Sequence, residues 1–230
     1  MTIFSLELQL ADKRQKAGNL FAVKTNSWGG LSREVSNPTM TQASRDADIS
    51  KLTKLRYLIT DLNELRAKEP NMHCVVFTHN KGGYAMIQKA LDNAGYIKCG
   101  FTSGDSAKKR SESIRSFQDS IKAVEEGRKV EAVAKVFVAT IKIGNVGITL
   151  TAASRVYLFE PCIDPATEVQ AAGRIHRLGQ TKNVLVKRLV FNNSIESRID
   201  EVHEKIKKGE LAVKDGKYEQ DLLNILEKDS

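Results

Sequence analysis

What this chain of 230 residues lacks narrows its class first. Its three cysteines, Cys74, Cys99 and Cys162, form no C-x-x-C pair. Isolated cysteines argue against a disulfide framework and a zinc site, and they suit a reducing compartment. The four histidines, His73, His79, His176 and His203, show no metal-ligand spacing, so no metal site is expected. No apolar run approaches the ~18 residues that a helical membrane span needs, and no signal-peptide pattern opens the chain. No membrane partner is expected. There is no internal repeat. Also missing are a G-x-x-x-x-G-K-[ST] loop to cradle β- and γ-phosphates and an Asp-Glu pair after an apolar strand to hold magnesium. Their absence excludes a self-sufficient nucleotide-hydrolysing site of that type.

The composition that remains is that of a globular domain: 41% hydrophobic and 28% charged residues, with enough chain to bury a sizeable core. A net charge of +8 suits an anionic partner, although a solvated basic surface would give the same sum. Residues 1–49 read as a poorly organised extension or linker. Phe4, Leu6, Leu8 and Leu10 alternate as in a strand, and Lys24 to Asp48 is rich in Ser, Asn, Thr and Gly. From residue 50 the pattern sharpens. Leu52, Leu55, Ile59, Leu62 and Leu65 recur at helical spacing, with Ser50 as N-cap and Pro70 as the stop. Short apolar runs at Val75–Phe77, Ile97–Phe101, Val133–Ala139, Val156–Phe159 and Val184–Phe191 predict strands. Helices are expected before Gly95, over Ala107–Ser120, and through Ile195, Ile199, Val202 and Ile206. Lys122–Glu131 reads as a longer helix or a surface insertion, and residues 209–230 as an extension with a short helix around Leu222–Leu226. Strands alternating with helices predict a parallel sheet covered on both faces.

The most informative stretch is Gln170 to Gln180, Q-A-A-G-R-I-H-R-L-G-Q. At helical spacing, Gln170, Arg174 and Arg177 would share one face. Arginine stays charged and presents a planar fork of donors matched to phosphate oxygens. Taken alone, the same residues also read as a solvated basic face. Their company favours the first reading. Loops at the carboxyl ends of the strands place Thr78 and His79, Thr102 to Asp105, and Thr140 to Gly147 where ligands of such sheets bind. Gly144 and Gly147 would let the G-N-V-G stretch turn tightly between a strand and a short helix.

Gln170 to Gln180 resembles motif VI of the Swi/Snf family of DNA-dependent ATPases, within helicase superfamily two. Further motifs come in the family's order. Cys74–Asn80 (C-V-V-F-T-H-N) resembles motif IV, and Lys108–Gln118 carries the family's R-x-x-x-I-x-x-F pattern through Arg110, Ile114 and Phe117. Val136–Ala153 resembles motif V. The likeness covers roughly residues 50–200 and concerns the second of the two RecA-like lobes. Three departures stand out. Asn145 replaces the second of two adjacent glycines in motif V, Ile163-Asp164-Pro165 stands where Trp-Asn-Pro is usual, and the Leu-Asp-Gly after the second helix is blurred at Phe101–Gly104.

The resemblance implies an α/β fold, a RecA-like open parallel sheet with helices on both faces, spanning residues 50–208. It implies Arg174 and Arg177 as arginine fingers towards ATP, with Gln170, Gly144 and Gly147 in the nucleotide site. Thr78, Ser103, Thr140 and Lys142 would touch the phosphates of double-stranded DNA. The complete enzyme would use ATP and Mg2+, held against an N-terminal RecA-like lobe, in chromatin remodelling or DNA repair, with nucleosomes as further partners. This segment alone would bind no cofactor and be inactive. Its compartment would be the nucleus in a eukaryote and otherwise the cytoplasm. Two alternatives remain open from the residues: a lobe of a superfamily-two RNA helicase, and a non-catalytic RecA-like module that binds DNA or protein.

Overall fold

The computed structural model describes residues 2–8 as backbone, then 52–102, 104–125, 133–142, 147–178, 180–211, 213–214 and 217–218. Five strands run parallel: β2 (His73–Thr78), β3 (Ile97–Phe101), β4 (Lys135–Thr140), β5 (Arg155–Leu158) and β6 (Val184–Val190). A sixth, β1 (Thr2–Leu8), pairs antiparallel with β6, from Thr2 opposite Val190 to Leu8 opposite Val184. It is the strand that the alternation of Phe4, Leu6 and Leu8 suggested. The sheet order is β1-β6-β5-β2-β4-β3.

Period-two geometry explains the two-sided core, because neighbouring strand residues point to opposite faces. Along β2, Cys74 and Val76 join Leu55, Leu58 and Leu62 of α1 (Thr53–Lys68) and Ile87 and Leu91 of α2 (Lys81–Asn93). Val75 and Phe77 face the other way, towards Phe117 of α3 (Ala107–Glu125) and Ala171 and Ala172 of α4 (Pro165–Ala172). All six residues of β2 are buried, as a parallel strand covered on both sides must be. Phe117, Phe137 and Phe101 meet edge to face in succession, with centroids 5.3 and 5.7 Å apart. Each such fully buried aromatic accounts for about 3–5 kcal/mol on truncation to alanine. After β6 comes α5 (Ile195–Lys207), opened by a capping box at Ser194 and Ser197. Beyond it lies a short antiparallel pair, β7 (Val213–Lys214) and β8 (Lys217–Tyr218).

Several local expectations need correction or completion. The N-cap of α1 is Leu52, which has no capping side chain, and Ser50 lies outside the described residues. Helix α3 runs five residues past the expected Ser120 to Glu125, so part of the charged stretch is helical; residues 126–132 and the segment around Leu222 are outside the described residues. Gly95 does end its helix, and its φ of +68° explains why glycine stands there. Asp164, a departure from the family pattern, caps α4: its carboxylate accepts from Ala166 N–H at 2.9 Å and Thr167 Oγ1 at 2.9 Å, with Pro165 in the first turn.

One buried histidine ties the fold to pH. His73 sits at the start of β2, 4% exposed, edge-on to Phe117 at 5.2 Å, with Nδ1 2.9 Å from the carbonyl oxygen of Asn71. Burial, reinforced by the charges of Lys135 and Lys182, lowers its pKa to about 4. The unfolded chain, at the ordinary 6.5, binds the proton more readily than the folded one between those values. Stability therefore falls as pH drops from about 6.5 to about 4, by on the order of 3 kcal/mol for this group. Melting curves across that window should show His73→Phe losing much less stability on acidification than the parent chain.

Candidate functional site

The chemistry-bearing residues fall at two opposite edges of the sheet. Thr78 and Thr140 are register partners at the carboxyl ends of β2 and β4. The residues around Arg174 and Arg177 lie at the amino end of β5. Ser154, just before β5, accepts from Leu185 N–H, and Leu150 N–H donates to the Arg174 carbonyl at 2.9 Å. A six-residue strand at ~3.3 Å per residue separates the two edges by about 20 Å.

At the carboxyl edge, a carboxylate organises the end of β2. Glu160 accepts the Thr78 hydroxyl at 3.0 Å through Oε1 and the His79 backbone N–H at 3.0 Å through Oε2. Helix α2 starts directly over this junction, with Asn80 accepting from Gly83 N–H at 2.7 Å. A Cβ on Gly83 would stand 2.4 Å from Thr78 Oγ1 and 3.2 Å from Glu160 Oε1, so only glycine lets the helix come so close. Of the four phosphate-contact candidates, two have buried side chains in this arrangement. Thr78 is 1% exposed with its hydroxyl committed to Glu160, and Thr140 is 6% exposed. Lys142 is exposed there and can meet a ligand. Ser103 lies outside the described residues; beside it, Thr102 donates to Asp105 from both its N–H, at 2.6 Å, and its hydroxyl, at 3.2 Å. Lys109 and the Thr102 N–H hold the Asp105 carboxyl down at about 2.

The amino edge carries the arginines, but not on a helix. Helix α4 stops at Ala172, with Gly173 as C-cap, and residues 173–178 continue as tight turns. The reason is competition for carbonyls. A continuing helix would use the Gly173 and Arg174 carbonyls for backbone N–H groups four residues on. Instead, Arg177 Nε donates to Gly173 O at 3.2 Å, and Leu150 N–H takes Arg174 O. The two arginines converge all the same. Arg177 Nη1 donates to Thr149 Oγ1 at 3.0 Å, which fixes one edge of its guanidinium. Arg174 has its Nε buried without a hydrogen-bond partner. Partial burial, and then the charge of Arg177, press its pKa downward. Among the described residues, no carboxylate pairs with either arginine. Two adjacent cations with unspent donors are costly unless an anion joins them.

The remaining nucleotide candidates are placed less tightly. Gln170 is exposed on the last turn of α4. Gly144 lies outside the described residues, as does Asn145. Gly147 is exposed, and a Cβ there would meet nothing within 4 Å, so no crowding requires glycine at that position.

Sequence reasoning missed three residues that matter. Glu160 is invisible without its partner, 82 residues away. Gln118 and Gln180 each end a recognisable motif, but the motif gives them no role. Both bond the backbone of the segment before β5: Gln118 meets Thr149 O and Ala152 N–H, and Gln180 meets Thr151 O and Ala153 O. Side-chain amides bonded to the peptide groups of an irregular segment are the signal that points to them.

The family described as "Helicase conserved C-terminal domain" matches residues 50–179. The chain is 35% identical over 158 residues to a putative SWI/SNF-related matrix-associated actin-dependent regulator of chromatin, subfamily A member 3-like 1, of Arabidopsis thaliana, covering 69% of this chain and 17% of that protein. It is 31% identical over 172 residues to the helicase-like transcription factor of Homo sapiens, covering 75% of this chain and 16% of that one. It is also 31% identical over 157 residues to the DNA repair protein RAD5 of Candida albicans, covering 67% and 14%. The chain thus spans only 14–17% of the length of these relatives. Among solved structures, the C-terminal part of the Fun30 ATPase domain superposes with a TM-score of 0.59 at 22% identity, over 70% of this chain and 47% of that one. That likeness supports the fold alone.

Proposed function

The chain belongs to the helicase conserved C-terminal domain family, as a C-terminal RecA-like lobe of Swi/Snf type, and on that premise we propose that it is half of an ATP-dependent DNA translocase. The observation that carries the reading is the cationic pair at the amino edge: Arg174 with an unpartnered buried Nε, and Arg177 anchored at Thr149, with no carboxylate on either among the described residues. A terminal phosphate is the anion whose geometry suits two guanidinium forks. The nucleotide would sit between this lobe, residues 50–208, and a first lobe that supplies the phosphate-cradling loop. Magnesium accompanies ATP as part of the substrate, and Gln170, Gly144 and Gly147 border the same site.

The arginines then act as fingers, meeting charge that develops on the γ-phosphoryl oxygens as the bond to the leaving group lengthens. Such a finger contributes about 10³–10⁵ in rate, or roughly 4–7 kcal/mol of barrier. At the opposite edge, Lys142 and the peptide groups beyond Thr78, Phe101 and Thr140, including Ser103, would track one strand of duplex DNA through its phosphates rather than its bases. Lobe closure on ATP and reopening after hydrolysis would move that grip. The biological setting, remodelling of nucleosomes or DNA repair in the nucleus of a eukaryote, is what the relatives' names suggest for the whole protein.

In the two-lobe enzyme, Arg177→Lys should lower kcat by at least about 10²-fold at saturating DNA, since lysine keeps the charge but loses the fork. Thermal stability should fall by no more than about 1–3 kcal/mol, the cost of the two side-chain hydrogen bonds that lysine cannot both make. Turnover near the parent value would end the finger assignment.

The DNA surface is tested separately. The isolated lobe should bind duplex weakly and without sequence preference, with log affinity falling as roughly 0.9 times the number of phosphates neutralised per log unit of salt. Lys142→Glu should reduce both affinity and that slope in a titration by fluorescence anisotropy. Binding that ignores salt, or ignores this substitution, would count against the edge.

A further inference from the structure

The residues Thr149–Ala153, which join the connection from β4 to the start of β5, form neither helix nor strand. Their peptide groups are satisfied largely by two side-chain amides. From α3, Gln118 Nε2 donates to Thr149 O at 3.0 Å and lies 3.5 Å from Thr151 Oγ1, while its Oε1 accepts from Ala152 N–H at 2.9 Å. From the turn after the arginines, Gln180 Nε2 donates to Ala153 O at 2.8 Å and Thr151 O at 3.0 Å, with Ile175 O at 3.3 Å, and its Oε1 accepts from Lys182 N–H at 2.9 Å. The segment so clamped holds both arginines, through Thr149 Oγ1 to Arg177 and through Leu150 N–H to the Arg174 carbonyl. Among the described hydrogen bonds, none from a strand ladder reaches Thr149, and its carbonyl is taken by Gln118.

We infer that Gln118 is a positioning residue for Arg177, acting across α3 through the Thr149 peptide and hydroxyl. The chemistry requires an amide. Gln118 donates to one peptide and accepts from another three residues on, which a carboxylate of the same shape cannot do because it only accepts. Gln118→Glu would keep the bond from Ala152 N–H and set an anionic oxygen against the Thr149 carbonyl. The displaced Thr149 would take its hydroxyl away from Arg177 Nη1. A misplacement of about 1 Å at a group that must meet a developing charge costs on the order of 10²-fold. Gln118 touches no nucleotide itself, so the effect belongs in kcat and not in ground-state affinity.

The inference rests on Arg177 meeting the γ-phosphate, and the experiment separates the two claims. In the full two-lobe enzyme at saturating DNA, steady-state ATPase would be measured for Gln118→Glu, Thr149→Val, Thr149→Ser, the double variant Gln118→Glu/Thr149→Val, and Arg177→Ala, each with a melting curve. Gln118→Glu should lower kcat by about 10- to 100-fold with KM for ATP within about twofold. Thr149→Val should do the same and Thr149→Ser should restore turnover, because serine keeps the hydroxyl that Arg177 needs. The double variant should be little worse than Thr149→Val alone, since both act on one contact. Parent-like kcat in Gln118→Glu while Arg177→Ala is dead would overturn the inference and leave the finger standing. So would effects that multiply in the double variant. Normal turnover in Arg177→Ala would remove the finger, and the inference with it.

Discussion

Two parallel strands that are not neighbours must be joined by chain that travels from the carboxyl edge of the sheet back to its amino edge. For β4 and β5, which flank β2, that return runs from Ile141 to Ser154 and carries no α-helix over its described residues. The placement of both Arg174 and Arg177 depends on that one passage. Its apolar residues, Ile141, Ile148, Leu150, Ala152 and Ala153, bury against the face that also receives α3 and α4. Before Ser154 its polar groups need partners that the strand ladders do not supply, and an unpaired buried peptide group costs about 1–3 kcal/mol. Two glutamine amides, a backbone bond to Arg174 and a turn bond from Ala153 N–H to Leu150 O meet much of that need. The same bonds hold the turn that carries the arginines against the sheet.

Electrostatics divides the lobe along the same axis. Two other partly buried cations are matched: Arg188 bridges Glu168 and Asp200, tying α4 to β6 and α5, and Glu168 also accepts from Cys162 N–H at 2.8 Å. Lys54, pulled below its usual pKa by burial, pairs with Glu196 at 2.6 Å and donates to Phe159 O. Removing one partner from such a pair is expensive, because the other charge stays behind. Arg174 and Arg177 are unlike these: side by side, with no carboxylate among the described residues. A fold that satisfies Lys54 and Arg188 so fully, yet leaves Arg174 Nε buried without a hydrogen bond, concentrates positive charge suited to an anion at that edge.

How much of this was legible from residues alone depends on how local each cause is. The five parallel strands were, because short runs such as Val75–Phe77 must be apolar to be covered on both faces, and alternation with helical periods orders them. The stop at Gly95 was too, since its cause lies in one residue's φ. The Asp164-Pro165 pair carries a helix-start signal that comparison with a family pattern alone obscures. The position of the arginines off the helix was not readable. It depends on Leu150 and on the Arg177 side chain claiming the carbonyls that would have extended α4. Thr78 reads as a surface hydroxyl until Glu160 reaches across the sheet to take it. Gln118 shows only as the end of a helical pattern, because its role exists only where α3 meets the passage from β4 to β5.

The central claim is that the paired arginines recognise phosphate charge that develops as ATP is split. The most direct measurement is binding of ADP with aluminium fluoride, a mimic of the transferring phosphoryl group, to the two-lobe enzyme and to its Arg177→Ala variant, beside binding of ADP alone. A group that acts in the transition state must discriminate between these ligands. The substitution should weaken the aluminium fluoride complex by at least about 10²-fold and ADP by no more than a few-fold. Equal losses for both ligands, or none for either, would contradict the claim.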